Sequence, residues 1–81
     1  MHPRKRILKI IDELEQMITD TRSWNDNNRH ETPIDVGQDL VMLALHRKML
    51  AAWDAGDIQK CRTLQFEAID LHKSFERARK G

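Results

Sequence analysis

The stretch from Leu40 to Trp53 reads Leu-Val-Met-Leu-Ala-Leu-His-Arg-Lys-Met-Leu-Ala-Ala-Trp, and it decides the fold. At about 100° per residue, a helix over this stretch shows apolar side chains in nearly every direction. Its apolar faces are formed by Leu40, Leu43 and Leu50, by Met42, Met49 and Trp53, and by Val41, Leu45 and Ala52. Only the polar residues 46–48 interrupt them. The pattern predicts a helix that packs against neighbours on several sides.

Two amphipathic segments flank this stretch and supply those neighbours. Before it, apolar residues recur at three- and four-residue steps: Ile7, Ile10, Ile11, Leu14, Met17, Ile18, Thr21 and Trp24. After it, a second stripe contains Cys61, Leu64, Ala68, Leu71, Phe75 and Ala78. Such spacing is typical of helices with one buried face. We therefore expect an all-α bundle of three helices over residues 3–24, 35–54 and 57–79.

The connection between the first two helices is predicted to be an exposed polar connector over residues 25–33. Its short polar side chains bond their own backbone, and Pro33 pushes Thr32 away from helical geometry. Asp35, with Gln38 three residues later, resembles a capping box at the start of helix 2. At about 3.3 Å per extended residue, this connector reaches nearly 30 Å. Helix 1 is therefore free to run parallel or antiparallel to helix 2.

The connection between helices 2 and 3 is short. Gly56 suits the left-handed position that follows a helix, and Asp57 suits the cap of the next helix. The run Gly-Asp-Ile-Gln-Lys-Cys over residues 56–61, followed by Ala-Ile-Asp-Leu over residues 68–71, resembles the turn and second helix of a tetratricopeptide repeat unit. That resemblance implies a tight hairpin of two antiparallel helices.

Composition limits the class of protein. The chain has 81 residues, 14 basic and 13 acidic residues, a net charge of +1 and one cysteine. One small domain over residues 1–81 is expected, and a core of this size supplies little stability, which favours oligomerisation. No segment matches a membrane span or a signal peptide. The expected location is the cytoplasm, and the expected assembly is a helical homodimer.

The surplus apolar surface of helix 2 suggests the function. We expect a non-enzymatic protein–protein interaction or assembly module that pairs through helix 2, either with a second copy or with a helical partner protein. Phe66 points away from the apolar stripe of helix 3, so it is either simply exposed or part of a second contact surface, and we include it in the expected interface. The expected partner interface comprises Val41, Met42, Leu45, Met49, Ala52, Trp53 and Phe66.

Nucleic-acid binding is the alternative function. Two groups of basic residues carry it: Arg4, Lys5, Arg6 and Lys9 near the start, and Lys73, Arg77, Arg79 and Lys80 near the end. Whether the two groups lie close together depends on whether helix 1 runs parallel or antiparallel to helix 2, which the connector leaves open. The near-zero net charge and the absence of aromatic residues among them count against this function.

Metal binding or a small helical enzyme is a further alternative. The candidate ligands are His2, His30, His46, His72 and Cys61, and His72 and Glu76 lie one turn apart on helix 3. No group of three has the spacing of a known metal motif. Cys61 falls on an apolar stripe and is expected to pack as a core residue, and His46 is expected to be packed with a hydrogen-bond partner. We therefore predict no catalytic residues, no metal and no cofactor.

Overall fold

The computed structural model describes the backbone of residues 2–80 and the side chains of residues 2–79. It contains three α-helices: α1 is Pro3–Asn27, α2 is Gly37–Asp54 and α3 is Ile58–Lys80. The described residues form no β-strand. The all-α fold of three helices is therefore confirmed, with helix ends that differ from the predicted ones by up to three residues.

The largest difference is at the end of α1, which continues through Asn27 into the predicted connector. Asparagine side chains cause this. The Asn28 Nδ2 donates to the backbone carbonyl of Trp24 at 2.8 Å, and the Asn25 side chain both donates to and accepts from the backbone of Ile34, at 3.0 and 2.9 Å. These side chains satisfy a carbonyl at the helix end and fasten the returning chain, so the connector is residues 28–36.

The start of α2 lies at Gly37, two residues after the predicted start at Asp35. The Asp35 Oδ1 accepts a hydrogen bond from the Gly37 N–H at 2.8 Å. Such a bond from an aspartate to the N–H two residues on forms a turn of its own. Asp35 therefore acts from outside the helix, and Val36 occupies the N-cap position.

The hairpin between α2 and α3 is tight, as predicted. Gly56 has φ of +77°, the left-handed conformation that glycine adopts without strain. Its N–H donates to the carbonyl of Trp53 at 3.0 Å, and the Asp57 N–H donates to the carbonyl of Ala52 at 2.9 Å. These two bonds make a Schellman motif. The Asp57 Oδ1 then accepts from the Lys60 N–H at 3.0 Å and caps α3.

The orientation of α1, which the sequence left open, is antiparallel to α2. At one end the Arg4 Nε donates to the Asp54 Oδ1 at 2.9 Å, and at the other Asn25 bonds Ile34, just before α2. Since α3 also runs antiparallel to α2, α1 and α3 are parallel to each other. Helix α2 packs against both, while no described Cα atom of α1 lies within 8 Å of one in α3.

The core forms where α2 meets its two neighbours. Its buried residues are Ile7, Ile11 and Ile18 of α1, Leu43, Leu45, His46, Met49 and Ala52 of α2, and Cys61, Leu64 and Ala68 of α3. One face of α2 remains in solvent and includes Val41, which is 44% exposed, and Arg47, whose Nη2 bonds the Glu15 Oε1 at 3.0 Å. The central helix is thus buried on two sides, by α1 and by α3.

Candidate functional site

A groove runs along the molecule between α1 and α3, with α2 as its floor. The floor side chains are Met42, His46, Met49 and Trp53. One wall consists of Ile7, Ile10, Leu14 and Met17 of α1, and the other of Ile58, Cys61, Ala68, Ile69, His72 and Phe75 of α3. We call this surface the α1–α3 groove. Its middle part holds a cavity of about 420 Å³.

The periodicity of α2 produces the floor. Met42, His46, Met49 and Trp53 follow one another at steps of four, three and four residues, which places them on one face of a helix. Their exposure varies along the groove: Met49 is 3% and His46 7% exposed, while Met42 and Trp53 are half-buried. At one end, the His2 ring meets the Trp53 ring edge-to-face at 5.9 Å between centroids.

The walls expose large apolar side chains. Met17 on α1 is 49% exposed, and Ile58 and Ile69 on α3 are 47% and 45% exposed. Single apolar residues on a surface are ordinary, whereas a contiguous apolar patch marks an interaction site. Here the three residues face one groove whose floor is also apolar. The groove is therefore a candidate binding surface.

His46 is the one buried polar side chain of the described core. Its Nδ1 lies 2.8 Å from the carbonyl oxygen of Met42, one turn earlier. Because a carbonyl only accepts, Nδ1 carries the proton in this hydrogen bond and Nε2 keeps a lone pair in the neutral ring. The expectation that His46 is packed with a hydrogen-bond partner is confirmed.

The charged residues of the groove are distributed unevenly. At the end where α1 and α3 begin, Arg6 and Arg62 stand on opposite walls, and Lys73 lines the middle. Glu76 also lines the middle, and Asp39 and Glu76 line the other half together with Arg79. The Glu76 Oε1 lies 3.0 Å from the His72 Nε2, so part of its charge is already matched within the chain when His72 is protonated.

The residues predicted as a partner interface occupy three different environments. Leu45, Met49 and Ala52 are 8%, 3% and 5% exposed, because α1 and α3 of the same chain cover them. Met42 and Trp53 belong to the floor of the groove. Val41 lies on the opposite side of α2, beside Lys48 and Asp70, and Phe66 is 61% exposed on the outer face of α3. The structure therefore does not bring the predicted set together into one surface.

The groove walls include residues that the sequence reasoning did not single out as interface, namely Ile10, Met17 and Ile69. The sequence of α1 does contain a pattern that indicates this wall. Ile10, Met17 and Trp24 recur every seven residues, and Trp24 is 41% exposed. A seven-residue apolar repeat is typical of a seam that meets another helix. The signal for Ile69 is weaker, since it lies at the margin of the α3 stripe.

The basic residues proposed for nucleic acid lie mainly at two ends of the molecule. Arg4 is ion-paired with Asp54 at the end of α2, whereas Arg79 lines the groove beside Asp39 at the start of α2. Lys5, Lys9 and Arg77 are exposed, and the Lys80 side chain lies outside the described residues. Arg6 and Lys73 line the same part of the groove, so each cluster contributes one residue to it.

The candidate metal ligands are dispersed. Cys61 is a free, buried thiol on the groove wall, as expected for a core residue. His72 pairs with Glu76, and His46 bonds a backbone carbonyl. Across residues 2–79, no three histidine, cysteine, aspartate or glutamate side chains come close enough to hold one ion.

Comparison of the chain with protein-family models, with curated proteins and with solved structures finds no match. Within the described residues, no helix combines the length and the apolar character that crossing a bilayer requires. The geometry of the groove is therefore the basis for a functional proposal.

Proposed function

We propose that this protein is a small, non-enzymatic helical interaction module that binds one helix of another protein chain in the α1–α3 groove. One observation carries the proposal: the backbones of the parallel helices α1 and α3 do not approach each other, and the groove between them has half-buried Met42 and Trp53 on its floor and exposed apolar side chains on its walls. In an up-down-up-down bundle of four helices, the first and third helices are diagonal and the fourth lies opposite the second. The three helices of this chain match that arrangement with the fourth corner vacant.

The side chains of the groove support a helical occupant. A helix with its side chains is about 10–12 Å across and packs by burying a stripe of apolar residues. The walls offer Met17, Ile58 and Ile69, each nearly half exposed, on both sides of the Met42 and Met49 floor. Methionine side chains adapt their shape to a partner, which suits a binding surface.

The polar groups of the groove support a binding role over a catalytic one. The His46 Nδ1 is bonded to the Met42 carbonyl, and the His72 Nε2 faces the Glu76 carboxylate at 3.0 Å. The His46 Nε2 keeps its lone pair, but the ring is 7% exposed, whereas a general base must come within hydrogen-bond reach of its substrate. A nucleophilic thiol needs an electropositive and partly exposed setting. Cys61 lies at the end of the groove that holds Arg6 and Arg62, but it is only 8% exposed and belongs to the hydrophobic core.

A designed peptide tests the proposal. The probe is an amphipathic helix of about 18 residues, about 27 Å long, with a leucine stripe and uncharged glutamine flanks. Fluorescence anisotropy should show saturable 1:1 binding. Ile69→Glu should weaken it at least about tenfold, because a carboxylate in an apolar contact loses its hydration.

Val41→Glu is the matched control. It adds the same charge at a residue that is 44% exposed, close to the 45% of Ile69, but on the other side of α2. Its affinity for the peptide should stay within about twofold of the parent protein. Equal loss in both variants, or no peptide binding at all, would remove the proposal.

Self-association through α2, predicted from the sequence, stays a prediction, and a second copy is one source of the bound helix. Light scattering at micromolar concentration tests it. A homodimer would give twice the 9.6 kDa of the chain, and Ile69→Glu, but not Val41→Glu, should return it to the single mass. A single mass at every concentration would leave a different protein as the partner.

The proposed cytoplasmic location is supported by the free Cys61 thiol, which a reducing compartment preserves.

A further inference from the structure

We infer that His46 determines which helix the α1–α3 groove accepts: the bound helix carries one hydrogen-bond donor, an asparagine or a similar polar side chain, in the middle of its apolar stripe and opposite the His46 Nε2. The inference rests on the proposed function and adds the chemistry of the partner helix and its position along the groove. It is carried by a ring nitrogen on the floor of the groove that the described chain leaves without a hydrogen bond.

Only one of the two ring nitrogens of His46 is used by the chain itself. The Nδ1 lies 2.8 Å from the carbonyl oxygen of Met42, and the described residues offer the Nε2 no hydrogen bond. His46 is 7% exposed, yet residues 2–79 contain no buried side-chain nitrogen or oxygen that lacks both a partner and contact with solvent. The Nε2 therefore belongs to the small exposed part of the ring.

That exposed part of the ring opens onto the middle of the groove. His46 lines two adjoining cavities of the groove, one that extends toward Arg6 and one that extends toward Arg79. Ile10 of α1 and His72 of α3 line both cavities and form the walls beside it. A side chain from the centre of a helix that lies between these walls is therefore the one that comes closest to the Nε2.

A bound helix has to supply a partner for this nitrogen because it covers the floor. Water hydrogen-bonds an acceptor at an open surface, whereas a packed helix excludes that water. An acceptor buried without a partner weakens binding by about five- to 100-fold. The neighbouring Met42, Met49 and Ile69 offer apolar contacts only. The stripe of the bound helix should therefore be apolar except at the position opposite His46.

The required group is a donor. With the Nδ1 proton donated to the Met42 carbonyl, the Nε2 of the neutral ring offers a lone pair. Asparagine, glutamine and serine side chains donate to such an acceptor, whereas a carboxylate only accepts and would need a protonated ring. A single buried asparagine in an apolar stripe also fixes the register of paired helices. His46 thus selects both the partner helix and its register in the groove.

Three peptides of about 18 residues test the inference by fluorescence anisotropy at about pH 8, which favours the neutral imidazole. All have the leucine stripe and glutamine flanks of the probe above. The first has asparagine in place of the central leucine, the second has asparagine in place of a terminal leucine, and the third has aspartate at the centre. The protein should bind the first peptide at least about fivefold more tightly than the other two. Without a partner at His46, asparagine would be tolerated better at the end, because a central polar group is more deeply buried.

The protein variant His46→Leu removes the acceptor and should reverse the order of the two asparagine peptides. It should fold, because the Met42 carbonyl keeps its place in the hydrogen-bond pattern of α2, and urea unfolding followed by circular dichroism checks this. The matched control is His72→Leu, the same substitution at the other histidine of the groove, whose side chain is 64% exposed and faces Glu76. The control should keep the preference for central asparagine.

The outcomes separate this inference from the proposed function. Equal binding of the two asparagine peptides would overturn the inference and leave the helix-binding groove standing. A preference for central asparagine that persists in His46→Leu would do the same. Tighter binding of the aspartate peptide would overturn the donor and indicate a protonated ring. No binding of any peptide, the all-leucine probe included, would remove the proposed function and this inference with it.

Discussion

Replacing Gly56 by alanine tests the α2–α3 hairpin with little ambiguity. Gly56 has φ of +77°, and a Cβ added there would have no heavy atom within 4 Å. A steric clash with the rest of the protein is therefore absent, and the whole cost in the folded state is the backbone conformation. For a residue with a Cβ, that conformation costs about 1–2 kcal/mol.

The unfolded state offsets part of this cost. Alanine restricts the unfolded chain more than glycine does, which stabilises the folded state by about 0.4–1 kcal/mol. The net loss in the free energy of unfolding should be about 1 kcal/mol. For a domain of this size, the melting temperature should fall by about 4–8 °C. Gly56→Asn should lose less, because asparagine tolerates the left-handed region better.

Urea unfolding followed by circular dichroism is the assay. The midpoint should fall in Gly56→Ala, with an unchanged dependence on urea, since the same surface is exposed on unfolding. Ala55→Ser, one residue earlier in a right-handed conformation, controls for a general effect of loop substitutions and should change the free energy of unfolding by under about 0.5 kcal/mol. An alanine variant as stable as the parent protein would refute the left-handed turn and the Schellman motif built on it.

Three further predictions concern the core, the connector and the alternative function. Met49→Ala should lose about 2–4 kcal/mol of unfolding free energy in urea, because it leaves a cavity at a residue that is 3% exposed, whereas Met17→Ala, at 49% exposure, should lose under about 1 kcal/mol. A similar loss in both would contradict the assigned core. Asn25→Ala should lose about 1 kcal/mol and speed proteolysis of the connector, because it removes both bonds to Ile34, and Asn27→Ala should do neither. Duplex and single-stranded DNA titrated at low salt should show no binding, and salt-sensitive binding would favour the nucleic-acid alternative.

Local chemistry explains which parts of the fold the sequence predicts. The turn at Gly56 and Asp57 requires a left-handed residue and a side-chain cap, and both needs are met by residues adjacent in sequence. The amphipathic stripes of α1 and α3 likewise predict their buried faces. The end of α1 is different, because Asn25 extends the helix by bonding Ile34, nine residues away. Asparagine usually indicates a loop, whereas here the Asn25 side chain belongs to the helix and holds the following loop in place by hydrogen bonds.

The groove depends on how three helices are arranged, which no local pattern specifies. Met42 and Leu45 are both apolar residues of α2, yet Leu45 is covered by the chain itself while Met42 remains at an open floor. The difference arises because α1 and α3 pack on two adjacent sides of α2 and leave a gap between them. The sequence shows that α2 carries excess apolar surface, but the side left uncovered is a tertiary property.

Methionine methyl NMR tests the helix-binding groove most directly. The chain has four methionines, and three of them, Met17, Met42 and Met49, line the groove. In protein labelled with ¹³C at the methionine methyl groups, the peptide with a leucine stripe and glutamine flanks should shift these three resonances together along one saturable 1:1 curve. Ile69→Glu should abolish the shifts and Val41→Glu should preserve them. Binding that leaves the three resonances unmoved would contradict the groove as the site.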